Sequence, residues 1–97
     1  MQYEIEHLWA GDNGYFFLEK NGKVLGRLDY SGSDDNMLLE STEVNRRLRD
    51  RGLGHALVNS AIEYARRMGL KVIPLCSFAK SVFMERKTEL NDVLAKG

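Results

Sequence analysis

The sequence is poor in features that mark several classes of protein. It has one cysteine in 97 residues, so no disulfide can form within the chain. It has no run of about 20 apolar residues of the kind that spans a bilayer. Its 14 basic and 14 acidic residues cancel, whereas nucleic-acid-binding proteins generally carry a basic excess. We therefore expect a soluble cytoplasmic protein with no membrane or nucleic-acid partner.

Metal-binding and repeat patterns are missing as well. No group of cysteine and histidine residues has the spacing of a metal site, so no metal is expected. The chain shows no internal repeats, low-complexity segments or linker, and its length suits one hydrophobic core. Residues 1–97 are therefore interpreted as a single domain.

The first half of the chain predicts an antiparallel meander. Residues 3–9 alternate apolar and polar side chains, as a half-buried strand does, and further strands are predicted over residues 15–20, 23–30 and 37–44. The pair Asn21-Gly22 is a strong hairpin signal, because a type I′ turn requires positive φ at both central positions. A second loop is expected over residues 31–36.

The second half changes to a helical period. A stripe with steps of three and four residues is formed by Leu53, Ala56, Leu57, Ser60, Ala61, Tyr64, Ala65 and Met68. Gly69 suits the left-handed residue that follows a helix. We predict a fifth strand over 71–75, a helix over 78–86 with Ser77 as its N-cap, and a last helical stretch over 88–94. The fold class is α+β with mixed α/β layers, and the fifth strand should be parallel to the fourth.

The segment NRRLRDRGLGHAL, residues 45–57, concentrates arginine and glycine immediately before the predicted helix. Amide groups at a helix N-terminus and the positive end of the helix dipole favour an anion, and glycine lets the main chain approach it. This arrangement predicts a phosphate-binding turn. The alternative is a solvated basic loop with a plain turn.

These motifs carry a family resemblance. Arg49-x-x-Gly52-x-Gly54 resembles the [Gln/Arg]-x-x-Gly-x-[Gly/Ala] signature of the GNAT superfamily of acetyl-CoA-dependent N-acetyltransferases. Thr42-Glu43-Val44 and the segment 74–80 resemble a branch of very small members. The resemblance implies a minimal GNAT-like fold, in which a four-strand meander is followed by a helix, a parallel strand splayed from strand four, and C-terminal helices.

The resemblance also implies where acetyl-CoA binds. The pantetheine arm would lie between strands 37–44 and 71–75, with the pyrophosphate on the amides after Arg49. The residues assigned to the coenzyme on this basis are Val44, Arg49, Arg51, Gly52, Leu53, Gly54, His55, Ala56, Cys76, Phe78 and Lys80.

Two departures from the family pattern affect the acceptor side. Ser41 stands where the small branch usually has a histidine, and a hydroxyl cannot replace imidazole as a base near neutral pH. Only residues 10–14 join the first two strands, where full-length members have helices that wall the acceptor site. We therefore expect an exposed or macromolecular amine acceptor of unknown identity.

Cys76 and Glu43 are the candidate catalytic residues. Cys76 precedes a predicted helix start, which favours a reactive thiolate, although a lone cysteine is commonly a small buried hydrophobe. Glu43 could take the proton of the attacking amine or could be a solvated carboxylate near the arginines. His55 is interpreted as a coenzyme contact or a surface residue, and His7 as non-catalytic.

Three functions remain open at this stage. The first is N-acetyl transfer from acetyl-CoA, and the second is non-catalytic binding of coenzyme A or an acyl-CoA. The third is binding of RNA or another polyanion through the basic loop, which the zero net charge disfavours. The sequence does not define the oligomeric state.

Overall fold

The computed structural model describes residues 3–95, which form eight elements. In chain order they are β1 (Glu6–Ala10), β2 (Asn13–Lys20), β3 (Lys23–Ser33), β4 (Asn36–Val44), a 3-10 helix (Arg46–Arg51), α1 (Leu53–Met68), β5 (Lys71–Pro74) and α2 (Ser77–Glu85). This order confirms the predicted α+β class.

The strands form one sheet in the order β1-β2-β3-β4-β5. The first four are antiparallel and β5 runs parallel to β4. Asn21 and Gly22 have φ of 51° and 78°, which confirms the predicted hairpin turn. The loop predicted over 31–36 shortens to a turn at Asp34 and Asp35, because β3 and β4 remain paired from Ser33 and Asn36 inward.

Helix α1 packs on the sheet, but its buried arc differs from the predicted stripe. Val58 and Ile62 are buried although the stripe omits them, whereas Met68 is 58% exposed although the stripe includes it. The buried side is therefore rotated toward the line through Gly54, Val58 and Ile62. Gly69 ends the helix in the left-handed conformation, as predicted, with φ of 70°.

Both helices cover the same face of the sheet. Side chains of α1 and α2 share one core with Leu28 of β3. Tyr15, Asp29 and Ser41 lie opposite one another on neighbouring strands and form a cross-strand row. Because Asp29 follows Leu28 on β3 and successive side chains of a strand alternate between faces, this row points to the other side of the sheet. No helix of residues 3–95 packs on that side, which we call the open face.

The C-terminal segment differs from its prediction in two respects. Cys76, and not Ser77, is the N-cap of α2, since its sulfur accepts a hydrogen bond from the Ala79 amide. Residues 88–94 form hydrogen-bonded turns where a helix was predicted. The main chain there pairs with Val72 of β5 instead, so tertiary pairing prevails over local helical propensity.

His7 lies in an aromatic cluster on the helix-covered face. Its ring stacks on Phe16 with a centroid distance of 4.1 Å, and its Nε2 atom is 2.6 Å from the hydroxyl of Tyr30. Burial, with a smaller contribution from the charge of Arg67, lowers the pKa of His7. Burial raises the pKa of Tyr30 to about 12. His7 is therefore a neutral packing residue near pH 7, as expected from the sequence.

This pKa shift predicts acid destabilisation that originates at His7. A folded-state pKa below the unfolded value of 6.5 means that the unfolded chain binds more protons in that window. The contribution is complete above about pH 6.5 and is lost as the pH falls through the folded pKa. Urea unfolding at pH 7.5 and 5.5 should show a smaller pH effect in His7→Gln than in the wild type. His55→Gln is the matched control, and equal pH effects in the wild type and His7→Gln would contradict the prediction.

Candidate active site

Strands β4 and β5 separate halfway along β4. They pair from Asn36 to Leu39, opposite Lys71 to Pro74. The amides of Leu75 and Cys76 then both donate to the carbonyl of Leu39, at 2.9 and 3.1 Å, and the pairing ends there. Because β4 continues to Val44, an opening forms beside its second half, as the family resemblance implies.

A cleft of about 520 Å³ lies at this opening. Strand β4, the 3-10 helix, the first turn of α1 and the start of α2 all contribute to its wall. The lining residues are Thr42, Glu43, Val44, Arg49, Gly54, His55 and Phe78.

The N-terminus of α1 adjoins this cleft without a side-chain cap. Gly52, with φ of 80°, connects the 3-10 helix to α1, and no side chain bonds to the first amides of α1. A Cβ at Gly52 would meet no atom within 4 Å, so the requirement for glycine here is conformational. The first-turn amides of a 16-residue helix therefore suit an anionic group.

The arginine-rich segment is a 3-10 helix rather than an open loop. Asn45 caps it by accepting a hydrogen bond of 3.0 Å from the Arg47 amide. Arg49 lines the cleft. Arg51 is exposed outside the cleft lining, and its carbonyl accepts a hydrogen bond from Tyr3. The ion pairs found among the side chains that the structure describes involve none of the arginines in this helix.

Packing restricts the space for a side chain at Gly54. A Cβ built on Gly54 would lie 2.8 Å from Cζ of Phe78, closer than carbon atoms approach. The ring of His55 meets the same phenyl ring edge-on at 5.2 Å. Phe78 thus holds the start of α2 against the start of α1, a contact that sequence spacing does not reveal.

Six residues assigned to the coenzyme by resemblance lie outside the cleft lining, namely Arg51, Gly52, Leu53, Ala56, Cys76 and Lys80. The Leu53 side chain is fully buried, so only its main chain can face a ligand. Ala56 is half-buried one turn into α1. Lys80 is exposed beside Phe83 and Met84, because two residues along a helix rotate it by about 200° from Phe78.

Cys76 connects the two separated strands. Its sulfur is 3.4 Å from Oγ1 of Thr42 on β4 and accepts the Ala79 amide at 3.4 Å. The residue is half-buried. The sole thiol is thus the point where β4, β5 and α2 meet, immediately behind the cleft.

The carboxylates near the cleft belong to a charged row on the open face. Glu43 is exposed and lies opposite Arg27 on β3. Arg27 forms an ion pair of 2.8 Å with Asp29, and Ser41 donates to the same carboxylate at 3.1 Å. Sequence reasoning missed Asp29, because only the β3–β4 register reveals its pairing with Ser41.

Other site classes find no support in residues 3–95. That part of the chain contains no group of histidine, cysteine and carboxylate residues able to hold a metal ion. No helix within it combines the length and apolar character needed to cross a bilayer.

The chain belongs to the family of GCN5-related N-acetyl-transferases, whose model matches residues 15–93. It is similar to an uncharacterized N-acetyltransferase of Methanocaldococcus jannaschii, with 35% identity over 74 residues. That alignment covers 66% of this chain but 31% of the relative, so the chain spans about a third of that protein's length.

Solved structures share the fold. A GCN5-like protein from Staphylococcus aureus superimposes with a TM-score of 0.68 at 28% identity, covering 97% of this chain and 89% of the other. N-acetylglutamate synthase from Neisseria gonorrhoeae, solved with coenzyme A and N-acetyl-glutamate, gives a TM-score of 0.62 at 24% identity. The superposition covers 74% of this chain and 18% of the synthase. At this sequence identity the similarity supports the fold alone.

The contact between Gly54 and Phe78 predicts a sign change in a double-mutant cycle. Gly54→Ala alone should lower the free energy of unfolding by about 1–3 kcal/mol, because the new methyl group overlaps the ring. In a Phe78→Ala background the same change should stabilise α1 by about 0.5–1 kcal/mol, the usual gain of alanine over glycine. Urea unfolding of the four proteins measures this coupling. Additive effects would show that the ring does not restrict Gly54.

Proposed function

We propose that this protein is an acetyl-CoA-dependent N-acetyltransferase with an exposed acceptor site. The observation that carries the proposal is the cleft of about 520 Å³ at the uncapped start of α1, in a GCN5-related chain.

The residues present fit the coenzyme. The amides of Leu53, Gly54 and His55 would hold its pyrophosphate, and Arg49 would supply a positive charge at the cleft wall. The second half of β4 leaves its outer edge without a β5 partner, so its main chain is available to the pantetheine amides. When bound, the coenzyme supplies an acetyl group activated as a thioester.

We propose that the acceptor amine would take the acetyl group directly, so that the amide C–N bond would form, the thioester C–S bond would break, and coenzyme A would leave as the free thiol. An ammonium must first lose its proton, and Glu43 is the carboxylate in the cleft lining that would accept it, directly or through water. Cys76 already caps α2 and contacts Thr42, so we assign it the role of fixing the cleft wall.

One observation favours a non-catalytic alternative. Ser41 occupies the position of the branch's usual histidine and is hydrogen-bonded to Asp29, which is itself paired with Arg27. A site without this base could bind coenzyme A or an acyl-CoA and transfer nothing. Release of free coenzyme A thiol in the presence of an amine distinguishes the two functions.

Acetyl-CoA should bind and raise the melting temperature, because a ligand that binds the folded state stabilises it by mass action. Arg49→Ala should weaken binding by roughly two- to fivefold, the effect of one exposed charge. Arg67→Ala is the matched control, since it lies at the far end of α1, about 20 Å away and beyond the Debye length. Calorimetry that detects no binding at millimolar acetyl-CoA would refute the proposed function.

Cys76→Ala tests the assignment of the thiol. If the sulfur only fixes the cleft wall, this variant should lose about 1 kcal/mol of stability with the cap hydrogen bond, and any amine-dependent thiol release should continue. Intact wild-type protein incubated with acetyl-CoA should show no added acetyl mass. An adduct of one acetyl group that disappears in Cys76→Ala would establish covalent transfer instead.

A further inference from the structure

A groove of about 800 Å³ lies on the open face, separate from the coenzyme cleft. Its floor includes one cross-strand row, in which Leu8 of β1 lies opposite Tyr15, Tyr15 opposite Asp29, and Asp29 opposite Ser41. Glu40 completes the wall on β4. No helix among the described residues covers this row.

The linings of the groove and of the coenzyme cleft include consecutive residues of β4. A β-bulge between Asp29 and Tyr30 leaves Glu40 as the extra residue of β4, so that Glu40 contacts Ser31 and Ser41 contacts Asp29 on the same open face. The next residue, Thr42, lines the coenzyme cleft. Ser41 and Thr42, whose Cα atoms are about 3.8 Å apart, therefore line the two cavities from opposite faces of β4.

The charges in the groove favour a cation. Asp29 is compensated by Arg27, whose Nη2 atom is 2.8 Å from its carboxylate. Glu40 is exposed and accepts a hydrogen bond of 3.0 Å from the hydroxyl of Ser31, which carries no charge. The lining thus retains one uncompensated negative charge, at the end of the groove nearest the coenzyme cleft.

The opposite end of the groove is apolar. Leu8 is 52% exposed, and Ala10 lies beside it on β1. Tyr15 presents its ring next to them, with the guanidinium of Arg27 4.0 Å from its centroid. An exposed leucine beside an aromatic ring offers a surface that an apolar ligand group can cover.

We propose that this groove binds the acceptor, and that it selects a primary amine attached to an apolar or aromatic group. The ammonium lies at Glu40, beside the coenzyme cleft, and the apolar group lies on Leu8 and Tyr15. This inference rests on the proposed function for the transfer step, whereas the binding of the amine can be measured without it.

The test uses the full chain and four probe compounds in calorimetry without acetyl-CoA. 2-Phenylethylamine should bind more tightly than 2-phenylethanol, by roughly two- to fivefold, the value of one exposed charge pair. It should also bind more tightly than ethylamine, which lacks the ring, and 3-phenylpropionate should bind most weakly of the aromatic probes.

Variants assign this preference to residues. Glu40→Gln should remove the preference for 2-phenylethylamine over 2-phenylethanol. Leu8→Ala should weaken the binding of both compounds by about three- to tenfold, because apolar contact is lost. Glu63→Gln, exposed on α1 at the helix-covered face, is the charge control. Met68→Ala, 58% exposed at the end of α1, is the apolar control. Neither control should change the binding of any probe.

The outcomes separate this inference from the proposed function. Selective binding of 2-phenylethylamine that depends on Glu40 and Leu8 supports the groove, even if acetyl-CoA releases no thiol. Absence of binding by all probes, tighter binding of 3-phenylpropionate, or a preference unchanged in Glu40→Gln would overturn it. Acetyl transfer to 2-phenylethylamine with KM raised in Leu8→Ala and an unchanged affinity for acetyl-CoA would support both.

Discussion

The end of pairing between β4 and β5 is the constraint on which the rest of the molecule depends. The Leu39 carbonyl accepts two successive amides, from Leu75 and Cys76, so β5 cannot continue its ladder along β4. A continuous parallel strand would otherwise form hydrogen bonds with the main-chain groups of β4 up to the end of that strand. Because it does not, the cleft opens where α1 begins, and the Thr42–Cys76 contact spans the opening.

Packing and backbone geometry around this opening explain why glycine occupies positions 52 and 54. Phe78 lies across Gly54, so α2 can approach the first turn of α1 closely. The backbone freedom needed for the turn falls on Gly52 instead, which has a left-handed conformation and open space at its Cβ position. Glycine therefore suits the two positions of the Gly-x-Gly motif for different physical reasons, backbone conformation at Gly52 and space for Phe78 at Gly54. The expectation of a phosphate-binding turn does not predict the Phe78 ring or its position.

Much of the fold could be predicted from local sequence signals. The contacts in the candidate site could not, because they depend on the register between strands that are distant along the chain. Asn21-Gly22 and Gly69 specify their own backbone conformations, so the hairpin and the end of α1 follow from sequence. The Ser41–Asp29 hydrogen bond joins residues that are 12 positions apart along the chain, at a bulge of the β3–β4 ladder that no local pattern indicates. The helix predicted over residues 88–94 was wrong for the related reason that the main chain there pairs with β5.

The bulge also determines how one strand can serve two cavities. Side chains of a regular strand alternate between faces, so consecutive residues would alternate between the helix-covered face and the open face. The extra residue at Glu40 places both Glu40 and Ser41 toward the open face, before Thr42 returns to the side of the cleft. In the function we propose, these adjacent residues would mark the boundary between the coenzyme side and the acceptor side. Because no helix of residues 3–95 covers the open face, the side chains of that face would have to orient the amine toward the cleft.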